Sequence, residues 1–343
     1  MKNENSSKGR HRSVPLRHFT WENKEHKSDS EILIESTVTE WYGAKHSPAS
    51  REEIKFINNL PIKYCPYCGS IDFCRAGFNR SGIQRYKCTD CGGRFSPFTN
   101  TTFDEKKIPI SEWIEYLLHL FEFHSVRSSS FDNRNAESTG RYWLLKVFSV
   151  LEGVQDEMIL SGTIWIDETF LSVPKSRVKK RSGKKLRGIS RNKIAIACAK
   201  DADGHSVMIT MDTSKPSIKS TWDAYGTHIA AGSALIHDGE YSHLILIESL
   251  DLKSEVHATE ETEGMPDDKN PLRQINEVHR LMKRFFREHD GYDREHLQDW
   301  LNLLWFIMNG PEDKYDKVLS FMKLAVSSPK RVRYRDVMSG KHD

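Results

Sequence analysis

Residues 163–171 read Thr-Ile-Trp-Ile-Asp-Glu-Thr-Phe-Leu, an apolar, β-branched and aromatic run with a carboxylate, Asp167, in its middle. The composition is that of a buried strand, where a carboxylate is costly unless it is paired or holds a cation. Three more β-rich runs follow: KIAIACAK (193–200), HSVMITMD (205–212) and ALIHD (234–238), the last ending in Asp238 before Gly239. A helix over about 215–231 separates the third run from the fourth. If the first three strands form an antiparallel meander and the helix is a right-handed crossover, the fourth strand lies parallel to the first and beside it. Neighbouring strands are about 4.8 Å apart, so Asp167 and Asp238 come within reach of shared hard cations. Singly, Asp238-Gly239 reads as a turn and Asp167 as a capping or edge residue. Topology is what joins them.

Two divalent ions roughly 4 Å apart activate an attacking oxygen and stabilise a leaving one in phosphodiester chemistry. A third ligand is expected from a helix over 274–289, where Asn276, His279 and Lys283 share a face by their spacing. Glu277 stands about 100° away from Asn276 around that helix. An amide oxygen ligates Mg²⁺ more weakly than a carboxylate does, and Lys283 is placed to meet a phosphate. Without the two aspartates, this segment would read as an ordinary amphipathic helix. A second long helix is expected over 294–308, and a shorter helix and strand near 241–250 and 254–258.

Between the first two strands, residues 175–193 hold ten basic side chains and no acid. A charge run usually keeps a loop solvated, but at the mouth of a phosphodiester site it is better suited to a DNA backbone. Lys179, Lys180, Arg181, Lys184, Lys185 and Arg187 are the candidate contacts.

Five of the six cysteines fall between Cys65 and Cys91. Cys65-Pro-Tyr-Cys68 and Cys88-Thr-Asp-Cys91 are C-x2-C knuckles nineteen residues apart, each followed by glycine. Four converging thiolates make a closed tetrahedral site, so the expected zinc is structural. Cys198 reads as a small core residue. Arg80, Arg85 and Lys87 lie between the knuckles beside Phe78 and Tyr86, which suggests a β-hairpin with a basic face toward DNA. Beyond the ribbon, helices are expected at 111–123 and 138–153, separated by a Ser/Asn-rich turn. They fit either a helix-turn-helix or a packing hairpin. Arg141 and Lys146 are expected on a face apart from Trp143, Leu144, Val147 and Phe148, and Arg141 is a candidate DNA contact.

The 343 residues are 37% apolar and 10% aromatic, enough for two or three domains, and the net charge of +3 leaves any case for DNA to local clustering. No run approaches the length of a membrane span, and the polar, basic N-terminus lacks a secretory signal's apolar core. The expectation is a cytoplasmic, nucleoid-associated protein without a membrane partner, whose cysteines serve as metal ligands or free thiols.

Five segments together resemble one family: CPYCGS…YKCTDCGGRFSPFTNTTF, WIDETF, the basic loop, IHDGEYSH and INEVHRLMKRFFREHDGYDREHLQDWLNLLWF. They are similar, across roughly residues 60–310, to bacterial insertion-sequence transposases of the ISXO type, with a zinc ribbon ahead of a DDE-like domain. The resemblance implies a D, D, N or E, K catalytic set on Asp167, Asp238, Asn276 and Lys283. Asn276 stands where many relatives have Glu, with Glu277 beside it; members with Asn occur, so activity is expected and the third ligand stays open between the two. It also implies two catalytic Mg²⁺ (or Mn²⁺) ions, hydrolysis at transposon ends, attack of the freed 3′-hydroxyl on target DNA, and a homo-oligomer in a synaptic complex. The partner is double-stranded DNA, as terminal repeats and as target.

The expected fold is α/β: an RNase H-like mixed-sheet domain over 160–310, preceded by a flexible basic arm and short helices (1–60), a zinc ribbon (61–104) and a helical DNA-binding region (105–155), and followed by a C-terminal helix and basic tail (311–343). Two other readings are a zinc-ribbon regulator without catalysis and an RNase H-like structure-selective nuclease.

Overall fold

The computed structural model describes residues 51–104, 108–327 and 331–335, with 32, 33 and 36. Most of the expected basic arm and short helices before residue 51, and the end of the basic tail, lie outside the described residues.

Helix α1 (Arg51–Asn58) precedes a three-stranded sheet of β1 (Phe73–Phe78), β2 (Gln84–Cys88) and β3 (Arg94–Phe95). Its inner face is a small aromatic core in which Tyr86 stacks on Phe95 and Phe73 meets both edge-on. Such a core is too small to hold a fold alone, which leaves the stabilising role to the cysteines. The carboxylate of the buried Glu53 accepts a hydrogen bond at 2.8 Å from the Ile110 N–H, one of the orphan donors at the start of the next helix.

That next segment holds three helices: α2 (Ile110–Phe121), α3 (Val126–Asp132) and α4 (Glu137–Leu151). The expected Ser/Asn-rich turn thus contains a helix of its own, started by Ser125, whose side chain accepts from the Ser128 N–H. Lys146 is the other correction. It is buried, and its ammonium donates to the Thr102 carbonyl at 2.6 Å and lies over the Tyr142 ring, so it faces the interior and not DNA. Nearly all of the C-terminal half of α4 is buried, because the helix packs on a partner on each side.

The main sheet has five strands: β4 (Thr163–Ser172), β7 (Lys193–Asp201), β8 (Ser206–Thr213), β9 (Ala234–His237) and β10 (Lys253–Val256). Their order is β10-β9-β4-β7-β8. β4, β7 and β8 are antiparallel neighbours, whereas β9 runs parallel to β4, and β10 parallel to β9. This is the RNase H-like arrangement of a mixed sheet. The loop between β4 and β7 carries its own hairpin, β5 (Lys180–Arg181) and β6 (Lys184–Lys185).

The crossover helix α5 (Ile218–Tyr225) is shorter than the expected 215–231. A capping box between Ser217 and Ser220 starts it, and the chain leaves the helix at Gly226 so that Ile229 can bridge Leu160 beside the sheet. α6 (Leu244–Ser249) and the short α7 (Thr259–Thr262) follow, then α8 (Arg273–Glu288), α9 (Leu297–Asn309) and α10 (Lys314–Ser327).

Alternation along the strands builds two cores. Ile164, Ile166, Ala195, Ala197 and Leu235 pack with Ala224 and Tyr225 of α5 and Leu246 of α6. On the opposite face Ile196, Cys198, Met208 and Ile236 join Ile275, Val278 and Met282 of α8, and that core continues without a break into Trp113, Tyr116, Trp143 and Val147 of α2 and α4. Each such buried aliphatic side chain contributes about 1.5–3 kcal/mol, so α8 is firmly seated across the face on which Asp167 lies. Among the described residues no helix is long and apolar enough to cross a membrane.

Candidate active site and nucleic-acid surfaces

Asp167 and Trp165 share a face of β4, and Trp165 pairs in register with Ile236 on β9. Two residues farther along each strand stand Asp167 and Asp238, so the same pairing carries the two carboxylates to adjacent positions at the end of β9. Both are about a quarter exposed, at 27% and 28%. Burial, followed by the charges of Glu168 and Asp238, raises the Asp167 carboxyl to about 7. Its Oδ1 accepts from the Glu168 N–H at 2.8 Å. Asp238 Oδ1 accepts from the Glu240 N–H at 2.9 Å, so Asp238 does form the turn that its Gly neighbour suggests. That turn needs glycine: Gly239 has φ +86, and a Cβ there would meet Val256 Cγ1 at 2.9 Å.

Helix α8 is pinned at its start. The Trp165 indole donates to the Pro271 carbonyl at 2.9 Å, and Lys200 of β7 donates to Gln274 at 2.8 Å. Lys200 also pairs with Glu277 at 3.5 Å, which draws that carboxylate toward β7. The α8 residue facing Asp167 is His279, with Nδ1 at 3.7 Å from Oδ2. Burial, with Lys283 adding to it, lowers His279 to about 4, so the ring is neutral at pH 7. Its buried Nε2 has no hydrogen-bond partner. Asn276 and Lys283 are exposed and border, with His279, Arg280, Arg284 and Arg287, an open cavity of about 440 Å³.

Behind the aspartates, on the other face of the sheet, runs a buried polar chain. Glu168 Oε1 lies 3.2 Å from His243 Nε2 and accepts from the Tyr225 hydroxyl at 3.1 Å. His243 Nδ1 meets His237 Nδ1 at 3.0 Å, and His237 Nε2 meets the Ser254 hydroxyl at 3.0 Å. Burial alone would lower His243, but the Glu168 carboxylate more than offsets it and the ring is raised. Burial and then His243 push His237 down to about 4. His243 thus links the Glu168 carboxylate on one side with His237 on the other. Glu168, His237, His243 and His279 received no role from the sequence. Their signal was positional only: Glu168 adjoins Asp167, and both histidines fall inside IHDGEYSH.

In the ribbon the four Sγ atoms of Cys65, Cys68, Cys88 and Cys91 lie within 4.8 Å of one another. Cys65–Cys91 and Cys68–Cys88 are 3.7 and 3.6 Å apart. Tetrahedral zinc with bonds of about 2.3 Å separates its sulfurs by about 3.8 Å, so the cluster fits a zinc ribbon. N–H groups of Cys91 and Asp90 toward its sulfur hold the Cys88 thiol down at about 7.

Arg80, Arg85 and Lys87 are all exposed, and Lys87 pairs in register with Arg94, which gives the outer face of the ribbon a basic row. Lys179, Lys180, Arg181, Lys184, Lys185 and Arg187 are exposed as well. In the β5–β6 hairpin, Lys180 faces Lys185 and Arg181 faces Lys184. Like charges directly opposed are destabilising, and a polyanion relieves them. Asn192 ties the base of the loop through bonds of 2.7 and 2.8 Å to both backbone groups of Lys179. Arg141 is exposed but pairs with Glu137 at 2.7 Å.

The mixed five-stranded sheet resembles the RNase H-like fold of transposases. Residues 159–309 match the model of the ISXO2-like transposase domain family. The domain that carries Asp167 and Asp238 is therefore that of a DNA transposase. No curated protein matches the chain significantly. Among solved structures it is similar to a pre-cleavage Mos1 transpososome (10% identity, 62% of this chain, 74% of that chain, TM-score 0.27). A Mos1 mariner paired end complex with Mn is comparable (12%, 62%, 75%, TM-score 0.30). Likeness at this level adds nothing to the topology.

Proposed function

We propose that Asp167 and Asp238 hold two divalent cations, Mg²⁺ or Mn²⁺, and that the chain hydrolyses phosphodiester bonds at transposon ends and transfers the freed 3′-hydroxyl strand into target DNA. The observation that carries this reading is the parallel pairing of β4 with β9, which brings two hard carboxylates together under α8. The donor set fits hard cations: neither acid pairs with a lysine or arginine among the described residues, and the Asp167 carboxyl is raised partly by Asp238. When bound, such ions activate the attacking oxygen and stabilise the leaving one.

Helix α8 supplies the third donor. Glu277 stands two residues before His279, about 200° around the helix, so the two side chains cannot point the same way. Asn276 stands three residues before it, about 60° away on the same side. We therefore assign the third ligand to the Asn276 amide oxygen and leave Glu277 with Lys200. Lys283, one turn beyond His279, positions a DNA phosphate at the mouth. The β5–β6 hairpin, with Lys179 and Arg187, holds the DNA backbone. The zinc-filled ribbon (61–104), through Arg80, Arg85 and Lys87, and the helical region (105–155), through Arg141, recognise the element's ends. Two ends brought together require a homo-oligomer.

The test is cleavage of labelled DNA carrying the inverted repeats that flank the gene, with Mg²⁺ or Mn²⁺ and with EDTA. Metal-dependent nicking at the repeat ends is expected, lost in Asp167→Ala and Asp238→Ala while end binding persists. Binding without nicking by the wild type would instead mark a regulator, and cutting indifferent to the repeats a structure-selective nuclease.

A further inference from the structure

Away from the catalytic face, the ends of α2 and α3 bring together His119, His124 and Asp132, whose donor atoms lie within 4.8 Å of one another. His119 is in the last turn of α2. The chain then folds back on itself: Phe123 takes φ +68, and the His124 N–H donates to the His119 carbonyl at 3.0 Å. The two imidazoles end up stacked, 5.1 Å apart and 16° from parallel. Asp132 closes α3 opposite them. His119 Nδ1 and His124 Nδ1 each lie 3.8 Å from the same atom, Asp132 Oδ2.

That separation is too long for a hydrogen bond. Both Nδ1 atoms are nonetheless sealed from water and have no hydrogen-bond partner. Two orphaned ring nitrogens aimed at one carboxylate oxygen leave room for something between them. The setting favours a cation, since the negative ends of two helix dipoles converge there with a carboxylate. Donors of a tetrahedral zinc ion with bonds of about 2.0–2.1 Å stand about 3.3 Å apart, so the two nitrogen-to-oxygen separations have to close by only about half an ångström. The Ser128 hydroxyl donates to Asp132 Oδ2 at 3.4 Å and orients the carboxylate.

We propose that His119, His124 and Asp132 form a second metal site, separate from the ribbon and from the catalytic acids, which binds Zn²⁺ or a similar borderline transition ion through two nitrogens and one oxygen. The side chains are 27%, 41% and 38% exposed, so a water molecule can complete the coordination. A metal here clasps the end of α2 to the end of α3 and fixes the turn that leads into α4.

The test is metal stoichiometry on the full chain, saturated with Zn²⁺ and freed of loose metal by gel filtration, in an Asp167→Ala background so that the catalytic acids do not count. Two zinc ions per chain are expected, falling to one in His119→Ala and in His124→Ala. His124→Cys, which exchanges one metal donor for another, keeps two. After cobalt substitution the alanine variants retain the thiolate-to-cobalt absorption of the ribbon, which shows that the ribbon is folded. One zinc in the parent protein, or two in both alanine variants, overturns the proposal.

Discussion

Replacing Asp167 with Asn isolates the electrostatic cost of the site. The folded-state carboxyl titrates at about 7, against 3.8 when unperturbed. Between those values the folded chain holds a proton that the unfolded chain has released, so stability present at low pH is lost as pH rises through that window. At about 1.4 kcal/mol per tenfold, the ceiling on that loss is about 4 kcal/mol. Asp167 is 27% exposed, so water screens part of it, and about 2 kcal/mol is the working figure. Asn is nearly the same shape, and its Oδ1 can still accept from the Glu168 N–H. In EDTA at pH 8, urea denaturation followed by tryptophan fluorescence should find Asp167→Asn more stable than wild type by about 2 kcal/mol. At pH 4 the gap should shrink to under about 1 kcal/mol. Mg²⁺ should narrow or reverse the gap at pH 8, because only the wild type keeps both carboxylates for it. Equal stability at pH 8, or a difference that ignores pH, would refute the reasoning.

Two further outcomes follow from the geometry. Glu277→Gln should keep cleavage within about threefold of wild type, whereas Asn276→Ala should lower kcat at repeat ends by about 100-fold or more; the reverse ranking would move the third ligand to Glu277. His243→Gln takes the imidazole away from the buried Glu168 side chain and should cost about 3–5 kcal/mol. Adding Glu168→Gln should restore much of that in the same denaturation assay, and strictly additive losses would show that the two residues are not coupled.

The strand succession, the zinc knuckles and the two candidate aspartates were legible in the sequence alone, because each is written in local pattern. Alternation marks a buried strand, C-x2-C spacing marks convergent thiolates, and an acid inside an apolar run is anomalous wherever it occurs. The parallel partnering of β9 with β4 was also legible, since a single crossover helix after a meander leaves few alternatives. Only the tertiary structure decided what depends on the direction of a side chain across elements. Lys146 looked exposed from its own helix, but a second packing surface covers it. A Ser/Asn-rich stretch read as a turn became α3, because packing against α2 and α4 overrides weak helix propensity. Glu277 and His279 are near neighbours in sequence, yet one meets Lys200 and the other Asp167. The Glu168–His243–His237 chain joins β4, β9 and the turn before α6, and the His119–His124–Asp132 group joins two helix ends. Neither group has a fixed spacing of the kind that marks a zinc knuckle, because their members are brought together by packing and not by a local turn.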